Sequence, residues 1–222
     1  MLAEVDHLVK TFAPKQISFG DDTLSLDGRY FDELCTHLAN SNFPVRFGGK
    51  TRIDLIDSTR LRLMQKAGFR EISFGIETND EVQLKNLNKG PVFHSIGRLK
   101  DIVREASDLG FRANLNFILG IPGETSASLK KKADFIISHC SIPNVVPLLG
   151  FLTPHWGSEL YTRTTDLGLK IIDSNLDHYN HLQPVCVPES LGPDAHKELI
   201  EAFNNISEAT NSELYNPILG GA

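Results

Sequence analysis

Five short apolar runs alternate with amphipathic stretches along this 222-residue chain, and that alternation leaves few architectures open. The runs at 16–20 (QISFG), 45–47, 71–76 (EISFGI), 113–119 (ANLNFIL) and 144–151 (NVVPLLGF) carry the branched and aromatic residues of buried strands. Between them Phe31, Leu34, Cys35 and Leu38 fall at helical spacing, as do Ile96, Leu99, Val103 and Ala106, then Leu129, Ala133, Ile136 and Cys140. Asp57 or Ser58 and Thr125 stand where N-caps belong, and Gly68 and Gly110 stand where helices stop. Asn79-Asp80-Glu81 opens a further short helix that 88–91 breaks. Strands separated by helices pair in parallel through right-handed crossovers, so the fold class is α/β. Composition alone does not choose between a barrel and a doubly wound sheet. Leu2, Val5, Val9 and Phe12 form a helical stripe ahead of the first strand, so the βα repeat opens on a helix and lacks its first strand. Past residue 160 the alternation fades. Gly192-Pro193-Asp194 leads into a last helix bearing Leu199, Phe203 and Ile206, and 216–222 reads as a loose tail. We therefore expect a core over 1–160 and a C-terminal helical or irregular extension over 161–222.

Charge and cysteine content exclude several classes. The chain carries 22 basic and 28 acidic residues, net −6, and its longest basic block is Lys130-Lys131-Lys132. That balance disfavours a protein that relies on nucleic-acid phosphates. No apolar run approaches the roughly 20 residues that span a bilayer. The start, Met1-Leu2-Ala3-Glu4-Val5-Asp6, lacks the layout of a signal peptide, so a cytoplasmic location is expected. Cys35, Cys140 and Cys186 are too far apart for a zinc or iron–sulfur knuckle, and an odd, sparse count argues against a disulfide framework. His178 and His181 form an HxxH pair in a polar stretch, which reads as surface rather than as a metal site. No metal ligands are assigned.

In parallel α/β folds the carboxyl ends of the strands converge on one face, where ligands bind. Those ends carry Asp21 and Asp22, Arg52 and Asp54, Glu77, the segment 120–124, and the segment 153–156. Carboxylates at Asp21, Asp22 and Glu77 suit an ammonium group or vicinal ribose hydroxyls, and Arg52 suits a carboxylate. Gly120 and Gly123 let backbone approach a flat ring. A ligand with an ammonium, a carboxylate, a ribose and a base, such as S-adenosylmethionine, would use this set. The plainer alternative pairs Arg52 with Asp54 and makes Gly120-Ile121-Pro122-Gly123 only a tight turn.

The phrases FGDDTL (19–24), TRID (51–54), KAGFREISFGIET (66–78), LNKG (87–90) and NFILGIPGET (116–125) together resemble the radical S-adenosylmethionine superfamily, closest to its cobalamin-associated branch. The likeness covers roughly 1–160. It implies a partial, TIM-like barrel of about six βα units, five of whose strands are visible here, with the active site at the strand carboxyl ends. It also implies that Asp21 and Asp22 meet the methionine amino group, Glu77 the ribose and Gly120, Ile121, Pro122 and Gly123 the adenine, with Arg52 at a polar cofactor-facing position. Two departures stand out. Trp156 replaces a proline in the phrase after the fifth strand, and the family's CxxxCxxC loop for a 4Fe–4S cluster does not occur in these residues. The resemblance thus implies the S-adenosylmethionine-binding portion of an enzyme that cleaves this cofactor reductively. Its cluster ligands would come from an upstream segment or a split partner chain, cobalamin from an upstream domain, and its substrate is unknown. The alternative is a cluster-free protein that binds the cofactor in a regulatory or scaffold role. Lacking an opening strand, the run at 16–20 would leave a sheet edge exposed.

Overall fold

The structure is a computed structural model that describes residues 1–87, 89 and 96–210, together with the backbone of 213–214. Within strand β3 (Phe69–Glu77), Phe69, Ile72, Phe74 and Ile76 are fully buried, whereas Glu71, Ser73, Gly75 and Glu77 on the other face stay half-buried. One face therefore packs under helices and the other lines a concave, polar interior. The same sheet holds β1 (Gln16–Phe19), β2 (Arg46–Thr51), β4 (Arg112–Leu119) and β5 (Val145–Phe151), all parallel and in sequence order. Further along the chain, β6 (Leu169–Ile171) and β7 (Cys186–Pro188) form a separate antiparallel pair. A two-residue strand, β8 (Glu213–Leu214), joins the far edge of the main sheet parallel to β5.

Among the described residues β1 pairs only with β2 and β8 only with β5, so the sheet is an open partial barrel. This is the α/β architecture expected from the alternation, with the C-terminal segment adding a strand to it. Across the interior, Gln16 Nε2 donates to Glu71 Oε2 at 2.9 Å and Asn114 Nδ2 donates to Glu71 Oε1 at 2.6 Å. Such pairing keeps a polar inner layer satisfied near the amino ends of the strands.

The helices are α1 (Leu2–Phe12), α2 (Gly28–Ser41), α3 (Ser58–Lys66), α4 (Glu81–Asn86), α5 (Leu99–Asp108), α6 (Ser126–Cys140), α7 (Glu159–Thr162) and α8 (Ala195–Thr210). Their starts follow the capping chemistry of the sequence. Asp27, Asp57 and Asp80 each accept a backbone N–H three residues on, and Thr125 forms a capping box with Ser128. Leu34, Cys35 and Leu38 of α2, Leu61 and Met64 of α3, and Ile102 and Val103 of α5 enter the main core.

One element differs from expectation. The second strand was expected to end at Phe47, before Gly48-Gly49, yet β2 runs through both glycines to Thr51. A Cβ on Gly49 would lie 2.9 Å from Leu24 Cδ2, so that glycine serves close packing and not a turn. The expected helix break at 88–91, apart from Lys89, and the tail 216–222 lie outside the described residues. No helix among the described residues is long and apolar enough to cross a membrane.

Candidate functional site

A cavity of about 550 Å³ opens at the carboxyl ends of the strands. Asp22, Arg52 and Glu77 line it, as do Gly75, Lys89, Asn116 and His181. Asp21 and the segment 120–123 lie outside its lining. The sheet thus brings together three of the polar residues expected at this rim, each delivered by the end of a different strand.

Glu77 is held there by local backbone geometry. Its φ is +65°, a region non-glycine residues seldom occupy, and Thr78 N donates to Ile76 O at 2.8 Å across it. The β3–β4 register slips between Gly75 and Glu77 at the same place. This strained turn sets the carboxylate against the cavity, where Lys89 Nζ donates to Glu77 Oε1 at 2.6 Å. Glu77 Oε2 has no hydrogen-bond partner among the described residues. Gly75 leaves the space that the pair fills, because a Cβ there would lie 2.9 Å from Glu77 Oε1 and 3.3 Å from Lys89 Nζ.

Arg52 is engaged already. Its Nε and Nη2 donate to the two carboxylate oxygens of Asp54 at 3.0 and 2.8 Å, a bidentate fork that fixes the guanidinium on the cavity wall. Asp21 and Asp22 are exposed. On β4, Asn116 Oδ1 is buried without a hydrogen-bond partner among the described residues, and Asn116 lines the cavity. A buried amide oxygen left unpaired in this way is an acceptor awaiting a donor.

The glycine-rich segment is organised from beneath. Glu124 Oε2 accepts from Gly120 N at 2.7 Å and from Ile121 N at 3.3 Å, so these two amides face their own glutamate. Gly120 and Gly123 adopt φ of +86° and +77°, which explains glycine at both positions. Lys132 Nζ lies 2.5 Å from Glu124 Oε1 and donates to Ile118 O at 2.9 Å, and both charged side chains are fully buried. Burial pushes the Lys132 ammonium below the usual lysine range, and Glu124 opposes that shift. Lys132 thus leaves the basic block seen in the sequence and becomes an interior counter-ion.

The fifth strand end turns toward the C-terminal segment. His181, at φ +65°, accepts Phe151 N on its carbonyl at 2.9 Å, and its Nε2 sits 3.1 Å from His155 Nε2. Burial lowers the His181 imidazole below its ordinary value, as does the neighbouring His155. His178 instead meets Asp173 Oδ2 at 2.6 Å, so the two histidines of the HxxH pair have different partners. No group of three or more His, Cys, Asp or Glu side chains suited to a metal ion occurs among the described residues. Burial pushes the thiols of Cys35, Cys140 and Cys186 up to about 12, which keeps them protonated.

Sequence reasoning missed Asn116, Lys89, His181 and Gly75 as site residues. A signal existed for Asn116: Asn114 and Asn116 alternate with apolar residues along ANLNFIL, which marks a polar inner face. His181 gave no such signal, because it reaches the rim through a fold of the C-terminal segment.

With this geometry in view, the comparisons with known proteins are specific. Residues 1–136 match the model of the Radical SAM superfamily, and the chain belongs to that family. The cytidylyl-2-hydroxyethylphosphonate methyltransferase of Streptomyces wedmorensis is 24% identical over 96% of this chain and 40% of its own length. The radical S-adenosylmethionine methyltransferase TsrM of Kitasatospora setae, solved with cobalamin and a [4Fe-4S] cluster, superposes with a TM-score of 0.72 over 99% of this chain and 48% of its own, at 16% identity. The coproporphyrinogen III oxidase HemN of Escherichia coli gives 0.51 at 16% identity, over 78% of this chain and 46% of its own. The chain spans half or less of the length of these relatives.

Proposed function

We propose that these residues form the S-adenosylmethionine-binding part of a radical S-adenosylmethionine enzyme. The observation that carries this reading is the cavity itself, with Glu77 on a strained turn and the unpartnered Asn116 Oδ1 both on its wall. Its volume of about 550 Å³ falls within the ordinary range for a cofactor-sized ligand. Glu77 Oε2 would accept a ribose hydroxyl while Lys89 steadies the other oxygen, and Asn116 Oδ1 would accept an N–H of the base or the ammonium. Asp22, exposed at the mouth, would meet the ammonium if Asn116 takes the base. The segment 120–123 would act through its shape, since two of its amides already serve Glu124. The C-terminal segment 161–222 would form part of the same unit, contributing His181 to the wall.

The residues present do not fit a 4Fe–4S cluster. The three thiols are scattered and raised in pKa by burial, and no CxxxCxxC occurs. We therefore assign no electron-transfer step to this chain. Reductive cleavage of the cofactor, the chemistry of the family, would need a cluster held by a segment outside these residues or by a partner chain. Methyl transfer, named for the Streptomyces and Kitasatospora relatives, the latter solved with cobalamin bound, extends to this chain on the same condition. The second reading, a cluster-free S-adenosylmethionine-binding protein, is favoured by those same inert thiols.

Titration calorimetry with S-adenosylmethionine on the full chain tests the binding that both readings share. Saturable binding that Glu77→Ala weakens at least about tenfold is expected, since one charge-assisted contact is worth roughly 1.5–3 kcal/mol. Unchanged affinity would remove Glu77 from the site. An in-frame CxxxCxxC coding segment upstream, or in a neighbouring gene, separates the enzyme from the cluster-free protein.

A further inference from the structure

A second concavity, of about 610 Å³, opens at the opposite end of the sheet, where the strands begin. Three cations line it: Lys15, which immediately precedes β1; Arg46, the first residue of β2; and Arg70, the second residue of β3. These strands are neighbours, and Arg46 N donates to Lys15 O at 3.1 Å, so the three charges start within about 10 Å of one another. Among the described residues none of the three is ion-paired with a carboxylate. Arg70 is anchored through one of its nitrogens. Its Nη1 donates to Gln65 O at 3.0 Å and Phe69 O at 2.6 Å, and among the described residues its Nε–Nη2 edge makes no hydrogen bond. That edge is the one that grips a phosphate or carboxylate with two parallel bonds. Phe43 supplies an apolar wall. Glu71 lies nearby on the inner face, but both of its oxygens are occupied, by Gln16 and Asn114.

We propose that this groove binds the phosphoryl groups of a small, multiply charged phosphate ligand, a diphosphate or triphosphate. Three cations lining one concavity match such a ligand in charge, and the concavity matches it in size. The remaining surface of a chain with net charge −6 would repel a long polyanion beyond the groove. The site is separate from the rim cavity. Arg46 and Thr51 bound opposite ends of β2, about 16 Å apart at strand rise.

The test titrates the full chain with pyrophosphate and then with ADP, at low and raised salt, in the original chain and in Lys15→Glu/Arg46→Glu. Both substitutions fall on exposed side chains, and thermal melting confirms folding, with Lys15→Gln/Arg46→Gln as the milder pair. Saturable pyrophosphate binding, weakened at least about tenfold by either double substitution and by salt, is expected. ADP binding tighter than pyrophosphate would identify a nucleotide using Phe43, and equal affinities would identify the phosphoryl groups alone. Absence of saturable binding at millimolar concentration would overturn the proposal. So would binding that survives both double substitutions, or that Glu77→Ala removes.

Discussion

Glu77 and Glu124 are carboxylates near the same rim with opposite roles. Glu77 keeps one oxygen available in a cavity, whereas Glu124 is enclosed and pairs with Lys132 and two backbone amides. Truncating one partner of such a buried pair leaves the other charge stranded. Lys132→Met should therefore destabilise the chain by about 3–5 kcal/mol in a denaturant titration, and adding Glu124→Gln should recover a large part of that loss. A different outcome is expected at Gly75, where the crowding falls on the movable ends of Glu77 and Lys89. Gly75→Ala should leave the melting temperature nearly unchanged and weaken S-adenosylmethionine binding, as calorimetry would read. The positions of Asp22, Arg52 and Glu77 were legible in the sequence, because polar residues at the ends of apolar runs have one place to go. Their pairing was not. Whether Arg52 serves a ligand or Asp54 depends on side-chain geometry that spacing does not encode.

At the scale of elements, the strands and helices were legible because hydrophobic period and capping residues agree. Thr125, Asp57 and Asp80 each sit where their side-chain oxygen meets an otherwise unpaired helical N–H. Gly48-Gly49 misled because glycine marks both turns and close approaches, and only packing against Leu24 tells them apart. Helix α6 carries a pH dependence of its own near its C-terminus. His139 stacks on Phe135 at 4.0 Å and bonds Phe135 O at 2.8 Å, and burial, the main cause, holds its pKa below the ordinary value. In the unfolded chain the same imidazole takes up a proton near about 6.5. Its contribution to stability is thus present above that value and is lost as pH falls through the lower folded value. His181 shifts in the same direction. Melting temperature should fall between about pH 7.5 and about pH 5.5, and His139→Phe should shrink that fall. An unchanged slope in His139→Phe would remove His139 as a source.

On the scale of the molecule, the parallel sheet converts one strand alternation into two functions, a helix-covered core and a polar interior leading to the cavity. Its edge at β1 is unpaired among the described residues, and an edge of that kind templates association. The chain alone should show concentration-dependent self-association by light scattering, reduced by Ser18→Lys on that strand. A monodisperse monomer at all concentrations would contradict this. The parallel pairing was legible from the alternation of strands and helices, and the strand order only through the family resemblance, whereas the strand at Glu213–Leu214 and the return of His181 to the rim rest on long-range packing without local pattern. A crystal structure of the chain grown with S-adenosylmethionine tests the assignment of the rim cavity most directly. The ligand is expected in the cavity at the strand carboxyl ends, with its ribose on Glu77 and a donor group on Asn116. Ligand bound elsewhere, with those two side chains untouched, would contradict it.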